Sequence, residues 1–344
     1  MTPRATPSPG PSASAARLGE LEKGRVVAVV DRLVRRGAGL TRPPGWPRAL
    51  WAVGTVLLVT MVVHIAALVV TGGPISGPVS LRKPATFAET GWLTAWSVAL
   101  ILPTLRTRPW QRHVVGAATI LFGVGETAIM AFQAWRGVPS HYNFTTLLDA
   151  ALMRGGAAGT AGVFLIGMIV LLVATLRSRH CQASVRLGVA AGVVVLIAGC
   201  VIGLVMIFNN SGVYQGSVGA DFARRTAAYL GPDSATVGPE YLMLRPATRG
   251  GDLVLLHAIG VHGLILLAVP GVLLARTAVS RARQFWVTTV AVASVAGAMS
   301  ILLVRTLREL PLGQLAPVAL AGLALCFVGL LGAHGRVAAA LLRR

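Results

Sequence analysis

The sequence predicts an all-α protein, a polytopic bundle of eight transmembrane helices with both termini in the cytoplasm. Three observations predict it. Apolar stretches of about 20 residues fill the chain after residue 47, long enough to cross about 30 Å of hydrocarbon as helices. Hydrophobic residues make up 55% of the chain and charged residues 12%, and the mean hydropathy is +0.73. Arginine collects in alternate short connections, as it does in cytoplasmic loops.

The predicted spans follow the apolar runs in order along the chain. They are 48–71, 87–105, 113–135, 156–176, 187–208, 253–275, 284–304 and 314–334. We therefore expect the bundle to occupy 48–335. A long outer loop is expected at 209–252, and a cytoplasmic tail at 336–344.

A cytoplasmic N-terminal tail, 1–47, is predicted to precede the first span. Residues 1–16 are rich in Pro, Ser and Ala, and this composition predicts disorder because it cannot bury a core. Residues 17–36 alternate apolar side chains with Arg and Glu, which predicts an amphipathic helix. Such a helix lies on the anionic inner leaflet or stays in solvent ahead of the first span.

The formal net charge of +20 reflects the predicted membrane topology, because the basic residues lie where cytoplasmic loops are predicted. The connections after spans 2, 4 and 6 contain arginine and no acid: Arg106, Arg108 and Arg112; Arg177, Arg179 and Arg186; Arg276, Arg281 and Arg283. The acids lie mainly in the remaining connections. We therefore expect these basic residues to interact with the lipid bilayer and not with nucleic acid.

Polar groups inside the predicted spans mark candidate sites, because a polar group in hydrocarbon needs a partner or a wet cavity. Glu126 lies in the outer half of span 3. Gln133 follows seven residues later, within about 20° of the same helix face. A carboxyl at this depth is protonated, paired with a cation or hydrated. The plain structural alternative is an interhelical hydrogen bond made by a neutral Glu126.

Four of the seven histidines map to the outer half: His64, His141, His257 and His262. A neutral imidazole can ligate haem iron or a transition metal, so His64, His257 and His262 are candidate metal ligands. His257 and His262 are five residues apart, about 140° around a helix, so one metal would need a ligand from another span. The alternative for each histidine is a hydrogen-bonded packing role.

The outer connections carry further candidates. Lys83 leads into span 2, where it faces a bound anion or pairs with Glu89. Between spans 3 and 4, Arg136 and Asn143 precede Asp149. Thr145 or Asn143 is expected to cap a short helix that runs through Asp149 along the outer surface.

These motifs resemble a family of uncharacterised bacterial polytopic membrane proteins. The matching residues are Lys83-Pro84, Glu126, Arg136-Gly137, Ser140-His141-Tyr142-Asn143, Asp149, His257, His262 and Pro270. Tyr142 replaces the usual Phe of this family. The resemblance covers roughly residues 80–275 and implies a site at the outer face, but no reaction.

The leading functional hypothesis is a membrane-embedded enzyme or redox protein of the cell membrane, which the resemblance implies is a bacterial plasma membrane. Its catalytic candidates are Glu126, His141, Asp149 and His257, and its substrate-binding candidates are Lys83, Gln133, Arg136 and Asn143. Haem or a transition metal is the expected class of cofactor, and a small molecule or lipid the expected ligand. The alternatives are a small-solute or ion-coupled transporter and a sensor or assembly factor with an unknown protein partner.

Overall fold

The computed structural model describes residues 45–75, 79–140, 143, 145–209, 229–230, 250–312 and 314–343. The predicted disorder at 1–16, the predicted helix at 17–36, His141 and most of the outer loop at 209–252 lie outside the described residues.

Long helices account for nearly all of the described chain. They are α1 (Trp46–Thr71), α2 (Arg82–Ile101), α3 (Pro109–Trp135), α4 (Leu147–Arg177), α5 (Ala183–Asn209), α6 (Leu253–Val261 and Leu264–Leu274), α7 (Arg281–Leu307) and α8 (Pro317–Leu342). The described residues also include one pair of two-residue antiparallel strands, β1 (Tyr229–Leu230) and β2 (Gly251–Asp252).

Six of these helices are long and apolar enough to cross a membrane, and the bent α6 makes a seventh if its two parts form one span. The protein is therefore a helical multi-pass membrane protein. The remaining helix, α2, coincides with a predicted span but does not reach the same apolarity. Arg82, Lys83 and Glu89, together with several threonines and tryptophans, lower its hydropathy.

The segment from Leu147 to Arg177 differs from the prediction of a surface helix followed by a separate span. It is one helix of 31 residues. Its first turn, Leu147–Ala151, passes through a π-helical segment, Leu152–Ala157, into a regular helix from Ala158. A π-helical turn accommodates one extra residue without ending the helix. We call Leu152–Ala157 the π segment.

Helix α6 bends by 50° between its two parts. The first part ends at Val261, and His262 follows as its C-cap residue. The second part begins with a π-helical turn, Leu264–Ala268, and contains Pro270. Proline has no backbone N–H to donate, so the ladder of hydrogen bonds is weakest there.

Glycines bring α5 and α6 into backbone contact. A Cβ atom on Gly199 would lie 2.6 Å from the carbonyl carbon of Gly260. A Cβ on Gly192 would lie 2.8 Å from the carbonyl oxygen of Gly263. Small residues at such crossings let transmembrane helices pack closely without a hydrophobic driving force.

Candidate functional site

Glu126 is buried in the interface between α3 and α4, with 4% of its surface exposed. The Thr160 hydroxyl of α4 lies 2.6 Å from Glu126 Oε1. That hydroxyl also lies 3.0 Å from the backbone oxygen of Ala157, the last residue of the π segment. The described part of the chain offers Glu126 no cation within salt-bridge distance. Its carboxyl therefore has a neutral hydroxyl as its partner.

The two neighbours of Glu126 in the chain are a glycine and a threonine. Gly125 leaves space for Thr160, because a Cβ there would lie 2.9 Å from Thr160 Cγ2. Thr127 is buried, and its hydroxyl has no hydrogen-bond partner among the described residues. A buried hydroxyl without a partner is costly and marks a place where a ligand or water can bind.

A second polar contact joins the C-terminal end of α3 to the first turn of α4, at the end of the interface that the predicted topology places outside. Asp149 Oδ1 accepts from Gln133 Nε2 at 2.9 Å and pairs with Arg136 Nη1 at 2.7 Å. Arg136 Nη1 also donates to the side-chain oxygen of Gln133. Asp149 is 2% exposed, whereas the Arg136 side chain is 31% exposed. We call Gln133, Arg136 and Asp149 the outer cluster.

The turn before α4 supports the outer cluster. Thr146 is the N-cap residue: its hydroxyl accepts from the Asp149 backbone N–H and lies 2.6 Å from Asp149 Oδ2. The expected caps, Thr145 and Asn143, bond to each other instead, with the Thr145 hydroxyl donating to Asn143 Oδ1 at 2.6 Å. Asn143 therefore contributes by ordering the turn, and the cap itself lies one residue after Thr145.

An apolar cluster separates Glu126 from the outer cluster. It consists of Ile129, Met130, Met153 and Ala157, with Phe87 and Leu152 packed against it. Met153 and Ala157 belong to the π segment. The interface between α3 and α4 thus has two polar contacts, and the π segment runs between them.

His64 lies at a different interface. Its Nε2 accepts a hydrogen bond from the Trp135 indole N–H at 3.2 Å, and its Nδ1 lies 2.8 Å from the Thr60 backbone oxygen. Indole N–H can only donate, so Nε2 carries no hydrogen and Nδ1–H donates to Thr60. Both ring nitrogens are occupied. In this arrangement His64 offers no free ring nitrogen to a metal, and its assignment as a metal ligand stays a prediction.

The other two metal candidates lie in α6. His257 Nδ1 lies 2.8 Å from the Gly199 backbone oxygen of α5, and His262 Nδ1 lies 2.7 Å from the Ala258 backbone oxygen. Carbonyl oxygens only accept, so each Nδ1 carries the hydrogen. Each Nε2 is left without a hydrogen-bond partner among the described residues.

The candidates do not converge on one metal. In the described ranges, no group of three or more His, Cys, Asp or Glu side chains could hold a metal ion. Glu126 and Trp135 are nine residues apart on α3, which places them about 180° apart around the helix. Glu126 and the His64–Trp135 pair therefore contact opposite sides of α3. His257 instead packs between α5 and α6.

Lys83 lies near the start of α2, and it makes no salt bridge with Glu89 in the described part of the structure. The hypothesis that these two residues pair is not supported. No carboxylate among the described residues pairs with the Lys83 ammonium group, and its role as an anion-binding residue stays a prediction.

Sequence reasoning missed the residues that complete these contacts. Thr160, Thr146, Gly125 and Trp135 are residue types common in any transmembrane helix or its ends. Only the Gly-Glu dipeptide at 125–126, with a small residue beside a buried acid, hinted that another helix comes close there.

No protein-family model, no curated protein and no solved structure matches this chain. The resemblance drawn from its motifs therefore stays a prediction, and the functional argument rests on the interface between α3 and α4.

Proposed function

We propose that this protein is an ion-coupled transporter of a small anionic solute, with Glu126 as its proton-binding group. The observation that carries the proposal is the environment of Glu126: a carboxyl buried in a transmembrane helix, with a threonine hydroxyl and no cation as its described partner. An acid in such a place is most stable when neutral, and intramembrane carboxyls that gain and lose a proton serve as coupling groups in transporters.

The shape of α6 supports transport over the membrane-embedded enzyme or redox protein that the sequence favoured. Its 50° break and its π-helical turn resemble the discontinuous helices from which transporters build midplane sites. An enzyme would need a second chemical group beside Glu126. The described residues offer Glu126 a hydroxyl, whereas His64 and His257 make their contacts elsewhere.

The proposed solute is an anion because the outer end of this region is cationic. Lys83 has no carboxylate partner among the described residues, and the Arg136 guanidinium, which pairs with Asp149, is partly exposed. Thr127 follows Glu126 in the chain, and its hydroxyl, which has no partner among the described residues, supplies a further donor. The proposal includes eight spans in the bacterial plasma membrane, with α2 as the least apolar span and both termini in the cytoplasm.

Proton-coupled uptake tests this function. Purified protein is reconstituted into liposomes that contain a pH-sensitive dye, and phosphate, glutamate or citrate is added outside. We expect anion-dependent proton uptake by the wild type and its loss in Glu126→Gln. Glu89→Gln is the matched control, since Glu89 is the other glutamate of the helices around this site and makes no described salt bridge. Uptake by Glu126→Gln at the wild-type rate would contradict the proposal.

A second candidate, a haem or metal redox protein, is favoured by the imidazoles of α6. A metal-binding histidine commonly donates its other ring N–H to a backbone carbonyl, as His257 does to Gly199. Gly203 makes room for this ring, because a Cβ there would lie 3.0 Å from His257 Cε1. Catalysis would then use His257 or His262, with a further ligand from outside the described residues, such as His141.

Absorption spectroscopy and metal analysis of the purified protein separate the two candidates. A Soret band or a stoichiometric metal that is lost in His257→Ala would favour the redox function. A colourless protein without bound metal, whose melting temperature rises with an added anion, would favour transport.

A further inference from the structure

We infer that the Thr160 hydroxyl transmits the protonation state of Glu126 to the π segment, and through it to the outer cluster. This inference rests on the proposed function, because it assumes that Glu126 gains and loses a proton. It adds a regulatory link between the buried carboxyl and the outer face.

The link follows from the number of hydrogens on Thr160. A hydroxyl has one hydrogen to donate, yet Thr160 Oγ1 lies within hydrogen-bond distance of two acceptors, Glu126 Oε1 and the Ala157 backbone oxygen. When Glu126 is neutral, its own O–H donates to Thr160, and the Thr160 hydroxyl is free to donate to Ala157. When Glu126 is ionised, the Thr160 hydroxyl turns to the carboxylate and the Ala157 oxygen loses this donor.

Thr160 differs in this respect from most other threonines within the described helices. Eight of these donate their hydroxyl to the backbone oxygen four residues earlier: Thr55, Thr60, Thr71, Thr86, Thr119, Thr175, Thr288 and Thr289. Thr160 bonds three residues back, to the residue at which the π segment ends. A π-helical turn is a less common state than a regular helix, so a change of one hydrogen bond there can shift its stability.

The π segment connects directly to the outer cluster. Its first residue, Leu152, comes three residues after Asp149, with one short helical turn between them. The apolar cluster of Ile129, Met130, Met153 and Ala157 fills the space between the two polar contacts. The backbone of α4 therefore connects Thr160, the partner of Glu126, to Asp149.

Other charged groups near α3 do not provide this link. The candidates on the elements packed against it are His64 on α1, Arg82, Lys83 and Glu89 on α2, and Arg154 in the π segment. None of them hydrogen-bonds or pairs with Glu126, whose described polar partner is Thr160. His64 instead bonds to Trp135.

Hydrogen–deuterium exchange of the protein in lipid nanodiscs tests the link. Exchange of the backbone amides at 152–160 is measured across pH, after correction for the intrinsic pH dependence of the chemistry. Infrared absorption of the protonated carboxyl, assigned by its loss in Glu126→Gln, reports when Glu126 ionises. In the wild type we expect protection of 152–160 to change about two- to tenfold as that band disappears, the effect of roughly one hydrogen bond.

Two substitutions at one position complete the test. Thr160→Ser keeps the hydroxyl and should keep the coupled change. Thr160→Val keeps the shape and removes the hydroxyl, so its protection at 152–160 should no longer follow the carboxyl band. A Thr160→Val protein that responds like the wild type would overturn the inference. So would a wild type in which the carboxyl band disappears while protection stays constant, a comparison that needs no variant.

The same measurements distinguish this failure from failure of the proposed function. If the carboxyl band of Glu126 persists at every pH at which the protein is folded, Glu126 does not exchange a proton. The proposed function then fails, and the inference fails with it. If the band titrates and Glu126→Gln stops proton uptake while Thr160→Val responds like the wild type, only the inference fails.

Discussion

Arg136 Nη1 lies 2.7 Å from Asp149 Oδ1 and joins the outer end of α3 to the first turn of α4. The carboxylate is almost fully buried, whereas the guanidinium is partly exposed. Removing the charge of a buried carboxylate also weakens its hydrogen bonds to Gln133 and Thr146. The pair therefore stabilises the interface mainly because it gives the buried Asp149 carboxylate a counter-ion and a hydrogen-bond donor.

Replacing Asp149 by Asn should destabilise the protein by about 1–3 kcal/mol, because an amide cannot accept all of these hydrogen bonds and leaves Arg136 without its counter-ion. The measurement is thermal unfolding in detergent. Arg179→Gln is the control, since Arg179 is exposed and makes no described ion pair. Equal melting temperatures for Asp149→Asn and the wild type would show that the outer cluster adds little stability.

The glycine contact between α5 and α6 predicts that one methyl group added at Gly199 strongly destabilises the protein. A Cβ at Gly199 would lie within 2.6–2.7 Å of three backbone atoms of Gly260 and Val261. Gly199→Ala should therefore destabilise the folded protein by about 1–3 kcal/mol, the usual cost of overpacking.

Gly159→Ala provides the matched control for the glycine prediction. A Cβ at Gly159 would meet no atom within 4 Å, so this change should leave the melting temperature unchanged or raise it, because alanine favours a helix. If the Gly199→Ala protein were as stable as the Gly159→Ala protein, the backbones of α5 and α6 would be farther apart at Gly199 than these distances indicate.

The sequence was sufficient to predict most of the helices, because a long apolar segment in a membrane has few structures other than a helix that satisfy its backbone hydrogen bonds. It also identified Glu126, Gln133, Arg136 and Asp149, since polar side chains near or within apolar runs are easily recognised. The periodicity of α3 placed Glu126 and Gln133 on one face, and the structure shows both of them contacting α4.

The partners of these residues could not be predicted, because they depend on which helices pack together. Thr160 is 34 residues from Glu126, and Trp135 is 71 residues from His64. The continuity of α4 was also missed. The Arg154-Gly155-Gly156 sequence is typical of a break, whereas the chain passes through it as a π-helical turn.

Cys181 should react slowly with maleimides at neutral pH. It lies between α4 and α5, where burial raises the pKa of its thiol although Arg186 and Arg106 oppose the shift. Its thiol contacts the backbone oxygen of Thr104 at 2.9 Å. Because the thiolate is the reactive form, a raised pKa lowers the labelling rate near pH 7.

An ordinary thiol is half ionised at a pH of about 8.5, so its labelling rate levels off above that pH, whereas the rate for Cys181 should keep rising to a higher pH. The measurement is the labelling rate between pH 6.5 and 10, on protein whose other two cysteines are replaced by alanine, with an exposed Ser280→Cys as the reference. A Cys181 labelling rate that levels off at the same pH as the reference would show that burial does not raise the pKa of its thiol.

The proposed topology predicts which positions can be labelled from outside the cell. The arginines of alternate short connections place 110 and 280 in the cytoplasm and 140 and 235 outside. Single cysteines are introduced as Trp110→Cys, Ser140→Cys, Ala235→Cys and Ser280→Cys in a background without Cys181, Cys200 and Cys326. An impermeant maleimide added to intact cells should label the variants at 140 and 235. It should label the variants at 110 and 280 only after the membrane is permeabilised. The reverse pattern would place the outer cluster and Lys83 in the cytoplasm, and uptake of an anion from outside would then need a different entry point.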